Sequence, residues 1–216
     1  MHNEILSPGQ QELLPLLKLF KKEFYLVGGT AVALYIGHRR SIDFDLFNYA
    51  PIRPKSLITK ISESGFPFDV TRRVTEQLNV NIHEVKFTFY QYPFMIDSPN
   101  SFEGVLRMPT LIDLAAMKAY ALGRRSKWKD YVDLYFILKE YYTIKQISNR
   151  ASTIFDQLFS EKLFRAQLAF FADIDYSEPI EYLGTPIPEN EIREFLVEKA
   201  IDLFNEEWGM EIGNTK

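Results

Sequence analysis

The chain contains no cysteine. That excludes disulfide frameworks, thiolate zinc sites and cysteine nucleophiles, and it suits a reducing cytosol, so a cytoplasmic location is expected. Histidine is scarce. His2, His38 and His83 are too scattered for a histidine-built metal site. No apolar run approaches the roughly 18 residues that span a bilayer. The opening stretch, MHNEILSPGQQELLPLLKLF, mixes Gln, Glu and Pro into its apolar positions and has no basic segment ahead of a long apolar core. Neither a membrane span nor a signal peptide is expected. Excess positive charge is also missing. A net charge of −4 gives no global attraction to nucleic acid and leaves only local basic patches for such contact. What is present, 216 residues with 46% hydrophobic and 25% charged content, fits a soluble protein of one domain or one domain plus a helical extension.

The chain shows no internal repeat and no low-complexity tract. Residues 10–22 carry Leu13, Leu16, Leu17 and Phe20 at helical spacing. FYLVGG reads as a buried strand entering a tight turn, and residues 30–37 as a short helix stopped by Gly37. Residues 41–47 are expected as a second strand. A helix starts at Pro54 and runs to about Ser64. From Phe68 to Phe94 the β-branched and aromatic content predicts two or three strands, with a turn near Gln77 to Asn81. After Pro109 the pattern becomes helical, with segments near 110–125, 129–142, 144–157, 161–171 and 189–208, the last preceded by a Pro-rich loop at 173–188. The expected class is α+β: a small mixed sheet flanked by helices over residues 1–108, then a helical half over 109–216 packed on it to complete the site.

Two acids stand out in the second strand, Asp43 and Asp45 in SIDFDLF. Residues two apart on a strand face the same side, with attachment points roughly 6.5–7 Å apart. Ile42, Phe44 and Leu46 are then expected to pack on the core while the acids project together. Such a pair can ligate one divalent cation, and oxygen ligands favour Mg²⁺ or Mn²⁺. The preceding turn supplies a partner for phosphate. Gly28 and Gly29 allow close backbone approach. The helix start at Thr30 and Ala31 offers N–H groups and a positive dipole end, and Thr30 can cap the helix or donate to a phosphate oxygen.

Gly-Gly-Thr, HRRSIDFDLF and MKAYALGRRSKWKDYVDLYFIL together resemble the AbiEii/AbiGii-type toxin nucleotidyltransferases of the polymerase-beta-like superfamily. The likeness covers about residues 24–140. It implies a minimal nucleotidyltransferase fold, transfer of a nucleotide from an NTP to an acceptor, and a metal held by Asp43 and Asp45. It also implies phosphate binding at Gly29 and Thr30, a functional lysine at Lys118, and a D-x-x-D motif at Asp130 and Asp133. Arg39 and Ser41 match the family's approach to the acid strand. The acceptor is RNA, such as a tRNA 3′ end, or a protein hydroxyl. A toxin of this kind is usually countered by a separately encoded antitoxin.

Lys118 interrupts an apolar helix stripe of Leu111, Leu114, Ala115, Ala121 and Leu122. It must snorkel to water or meet a negative partner, and phosphate is the functional candidate. Asp130 suits a helix start. Asp133 lies deeper and either orients Lys118 or Arg125, positions the acceptor, or forms a plain salt bridge. Arg39 is a substrate contact, an orienting ion pair, or a loop arginine in solvent. The basic link GRRSKWK, residues 123–129, either contacts RNA or is a solvated loop. Thr88 occupies the place where related folds carry a third acid. That gap keeps open a nucleotide- or partner-binding protein with weak turnover, and a metal-dependent phosphohydrolase is the other alternative.

Overall fold

The structure is a computed structural model that describes residues 1–202. The chain divides into two compact units, Met1–Leu114 with Glu181–Gly184, and Ala115–Ile180 with the segment from Thr185 on.

Among the described residues all strands belong to the first unit: β1 Tyr25–Val27, β2 Phe44–Asn48, β3 Phe68–Arg73, β4 Gln77–Ile82, β5 Val85–Gln91, β6 Asn100–Phe102 and β7 Leu106–Met108. They form one mixed sheet in the order β3-β4-β5-β2-β1-β7-β6. The β2–β5 and β1–β7 pairs are parallel and the other pairs antiparallel. Its helices are α1 Pro8–Glu12, α2 Leu14–Lys18, α3 Gly28–Ile36 and α4 Pro54–Glu63. One sheet face carries Leu46, Leu78, Val80 and Phe89, all fully buried. Phe20 and Phe24 meet Phe89 edge-on, at centroid distances of 4.9 and 5.3 Å. Burying each such side chain contributes roughly 1.5–3 kcal/mol.

Two sequence expectations are corrected here. The helix expected over 10–22 breaks at Leu13 into α1 and α2. Pro15 has no N–H to continue the ladder, so it sits in the first turn of a new helix. The Leu13, Leu16, Leu17 and Phe20 stripe is nevertheless buried. The turn expected near Gln77 to Asn81 is strand β4, whose Leu78, Val80 and Ile82 alternate inward. The chain instead reverses at 74–76 and at His83–Glu84, both of which have positive φ, 49° and 64°.

α5, Leu111–Leu122, carries the boundary between the units. The second unit continues with α6 Trp128–Glu140, α7 Ile144–Phe155, α8 Glu161–Leu168 and α9 Glu189–Ile201. Thr143 and Gln146 form a reciprocal capping box at the start of α7. The Arg165 guanidinium donates to the Lys199 and Ala200 carbonyls at 3.2 and 3.3 Å, tying α8 to the end of α9. Tyr135 of α6 packs edge-on against Phe195 of α9 at 4.9 Å. The part of the last expected helix beyond residue 202 lies outside the described residues.

Candidate active site

β2 begins at Phe44, so Asp43 immediately precedes the strand and Asp45 lies within it. Asp45 pairs in register with Val27 of β1 and Thr88 of β5. The Asp43 carboxylate lies 4.0 Å from the Lys86 ammonium. Lys86 and Thr88 are two apart on β5 and share a face, which places both acids on that side of the sheet. Phe44 and Leu46 are fully buried on the opposite face. Ile42 does not join them. It is 60% exposed, because regular strand pairing has not begun where it stands.

The glycine turn lies directly against Asp45. Gly28 opens α3 with φ at 72°, and a Cβ there would collide with the Asp45 carboxylate. A Cβ on Gly29 would stand 2.7 Å from Arg39 Nη2 and 2.9 Å from Ser41 Oγ. No side chain caps α3, whose N-cap is Val27. Thr30 is therefore not a cap. It is fully buried, and its hydroxyl donates toward the Ser41 carbonyl at 3.3 Å and to the Asp43 carbonyl. Gln10 Nε2 donates to the same Ser41 carbonyl at 2.9 Å. A hydroxyl has one proton, so Thr30 spends it on the backbone that leads into the acid pair.

Arg39 is 3% exposed, which excludes a solvated loop position. Its Nη1 donates to the Arg40 carbonyl at 2.8 Å. Residues 181–184 form a strap along this segment. Arg39 bridges Tyr182, Arg40 N–H donates to the Glu181 carbonyl at 2.8 Å, and Arg40 Nε meets the Glu181 carboxylate at 2.6 Å. Leu183 N–H closes it on the His38 carbonyl at 3.1 Å. The strap lies about 140 residues along the chain from Arg40, and no local pattern announces it.

In the second unit, Lys118 is buried with its ammonium 2.6 Å from Asp130 and 2.6 Å from Asp133. It does not snorkel. Asp130 is fully buried in the first turn of α6 and also accepts from Arg125 Nε at 2.9 Å. Burial pushes the Asp130 carboxyl upward, and the Lys118 and Arg125 cations outweigh that and hold it below its ordinary value.

The basic link is engaged within the same unit. Lys127 and Lys129 both pair with Glu178. Arg124 lies over the Tyr120 ring, 3.5 Å from its centroid. Ser126 donates to Asp173 at 3.0 Å. Burial raises the Glu178 carboxyl, but the two lysine ammoniums win and hold it at about 2.

Among the described residues, no group of three or more His, Cys, Asp or Glu side chains could hold a metal. The donor set beside α3 is two carboxylates with Thr88 alongside. Mg²⁺ is commonly bound in this way, through one or two carboxylates together with substrate phosphates, so the residues fit the cation. No described helix is long and apolar enough to cross a membrane.

Residues 16–214 match the family described as "Nucleotidyl transferase AbiEii toxin, Type IV TA system". The chain is 31% identical over 128 residues to Uncharacterized protein aq_aa25 of Aquifex aeolicus (strain VF5), a match covering 55% of this chain and 59% of that relative's length. MenT4, the nucleotidyltransferase toxin Rv2826c of Mycobacterium tuberculosis H37Rv, superposes with a TM-score of 0.60 at 16% identity, covering 92% of this chain and 85% of that one. JHP933 from Helicobacter pylori gives 0.55 at 19%, covering 90% and 91%. At these identities the two structural likenesses are likenesses of fold.

Proposed function

Because the chain belongs to the AbiEii nucleotidyltransferase toxin family, we propose that it transfers a nucleotide from an NTP to an acceptor hydroxyl on RNA, such as a tRNA 3′ end, or on protein. In this proposal it acts as a toxin opposed by a cognate antitoxin. The observation that carries the proposal is the contact between Gly28 and Asp45, which brings one acid of the pair against the start of α3.

Asp43 and Asp45 are the residues that would hold Mg²⁺ or Mn²⁺, which when bound polarises phosphate oxygens as a Lewis acid. The N–H groups of Gly29 and Thr30, at the positive end of α3, donate to the NTP phosphates. Thr30 fixes Asp43 through its backbone carbonyl, and Arg39 and Ser41 pack under Gly29 to hold the turn. In the reaction the acceptor oxygen bonds to the α-phosphorus and its proton passes to solvent water. The bond to the bridging oxygen breaks, and pyrophosphate leaves with the electron pair. Lys118 and Asp133 act as positioning residues that fix α5 against α6 within the second unit.

Thr88 favours a second reading, a nucleotide-binding protein with weak turnover. A threonine hydroxyl beside Asp45 is too weak a base to take the acceptor proton. Incubation with each labelled NTP, Mg²⁺, and total RNA or protein extract separates the cases. The expected result is label on one acceptor class with pyrophosphate released, abolished by Asp43→Ala. Binding without transfer supports the second reading, and release of inorganic phosphate alone identifies a phosphohydrolase.

A further inference from the structure

We propose that Phe47 and Tyr90 form a shelf on which a nucleobase stacks, next to the acid pair; this rests on the nucleotide-transfer function proposed above. Phe47 follows Asp45 by two residues on β2 and therefore lies on the same sheet face, roughly 6.5–7 Å further along. Tyr90 stands in the same relation to Thr88 on β5, and the register pairs Phe47 with Tyr90 and Asp45 with Thr88. Two adjacent rows of one face thus read acid–Thr and Phe–Tyr. The spacing between the rows is one that a ribose bridges, so a phosphate held at the first row brings a base to the second.

The two rings stand at the edge of the apolar core, each partly exposed. Leu46 and Phe89 on the opposite face are fully buried, whereas Phe47 and Tyr90 are both partly exposed, next to the buried Tyr25 and Tyr92 on their own face. Their centroids lie 5.2 Å apart at an interplanar angle of 64°, an edge-to-face contact in which both rings keep exposed surface. Tyr92 supports Phe47 from 5.0 Å and is itself backed by Phe94 at 5.3 Å. A supported, partly exposed aromatic pair suits stacking on a base, which is tolerant of base identity. On the far side of Tyr90 the register places Gln77, whose amide donates to Asn79 at 2.9 Å. These amides put hydrogen-bonding groups beside the shelf, where a base edge needs them.

The base belongs to the NTP or to an RNA acceptor, and the test has an arm for each. Binding of Mg²⁺–NTP, Mg²⁺–tripolyphosphate and a fluorescent mixed-sequence oligoribonucleotide is measured on the unaltered protein and on Phe47→Leu and Tyr90→Leu, which keep an apolar side chain. The expected result is that NTP binds more tightly than tripolyphosphate. Each variant then weakens NTP binding about tenfold, the order of one stacked base, and leaves tripolyphosphate binding unchanged. Loss confined to the oligoribonucleotide arm assigns the shelf to the acceptor. Unchanged NTP and oligoribonucleotide binding in both variants, with tripolyphosphate binding intact as proof of folding, overturns the shelf alone. Failure of the unaltered protein to bind tripolyphosphate or NTP overturns the proposed function and the shelf with it.

Discussion

Gly28 stands against the Asp45 carboxylate with no room for a Cβ between them, and its φ of 72° is one that side-chain-bearing residues rarely adopt. Gly28→Ala is therefore expected to abolish nucleotide transfer as well as to destabilise. Gly65 is the internal control. It has φ at 79°, but a Cβ added there would meet nothing within 4 Å. Gly65→Ala should cost only backbone strain, about 1–2 kcal/mol, and should keep full activity. Urea denaturation and the transfer assay, run side by side, check the pair.

Thr30 gives a prediction of a different kind. Its hydroxyl donates to the Ser41 and Asp43 carbonyls inside the fold. Thr30→Val removes the donor to the Asp43 carbonyl, while Gln10 still serves the Ser41 carbonyl, and should cost about 1–3 kcal/mol of stability. Thr30→Ser should restore most of it. A hydroxyl that served chiefly to bind phosphate would show the reverse pattern, with nucleotide affinity lost and the urea midpoint unmoved.

Lys118 separates two buried carboxylates. Lys118→Met leaves Asp130 and Asp133 facing each other with one cation fewer, and a loss of about 3–5 kcal/mol is expected. Adding Asp133→Asn removes one of the two facing like charges and should recover part of that loss. Denaturation midpoints of the single and double variants decide it.

The Glu178 clasp should respond to acid. Its carboxyl is held at about 2 in the folded protein against an ordinary value of 4.5. A depressed folded value means that the stabilisation is full above about pH 4.5 and fades as pH falls toward 2. Trp128 N–H donates to the Asp175 carbonyl at 3.0 Å within the loop that Glu178 anchors. The protection factor of that amide should fall across this window and should be lower and flatter in Glu178→Gln.

What the sequence discloses follows from the range of the interactions involved. Asp43 and Asp45 are legible as a pair because strand period is a local property. The strand's first residue is not, so Ile42 reads as a packing residue although it is exposed. Lys118 is recognisable as a charge in an apolar stripe. Its partners Asp130 and Asp133 lie across an interhelical link, and only the fold selects two carboxylates over solvent or phosphate. The basic link shows the same limit more strongly, since Glu178 is about 50 residues from Lys127 and nothing local ties them. At β4 the local signals conflict. Asn and Gln weigh toward a turn, while the Leu78, Val80, Ile82 alternation describes a half-buried strand, and burial decides for the strand. The true reversal at His83–Glu84 carries positive φ without Gly or Asn, and so has no compositional mark.

The proposed site stands or falls on whether Asp43 and Asp45 hold one divalent cation beside the phosphate-binding start of α3. Anomalous diffraction from crystals soaked with Mn²⁺ and a non-hydrolysable NTP tests this most directly. A single strong peak is expected about 2.0–2.2 Å from oxygens of both carboxylates and of the triphosphate. A nucleotide bound with no peak at these acids, or a peak elsewhere, would contradict it.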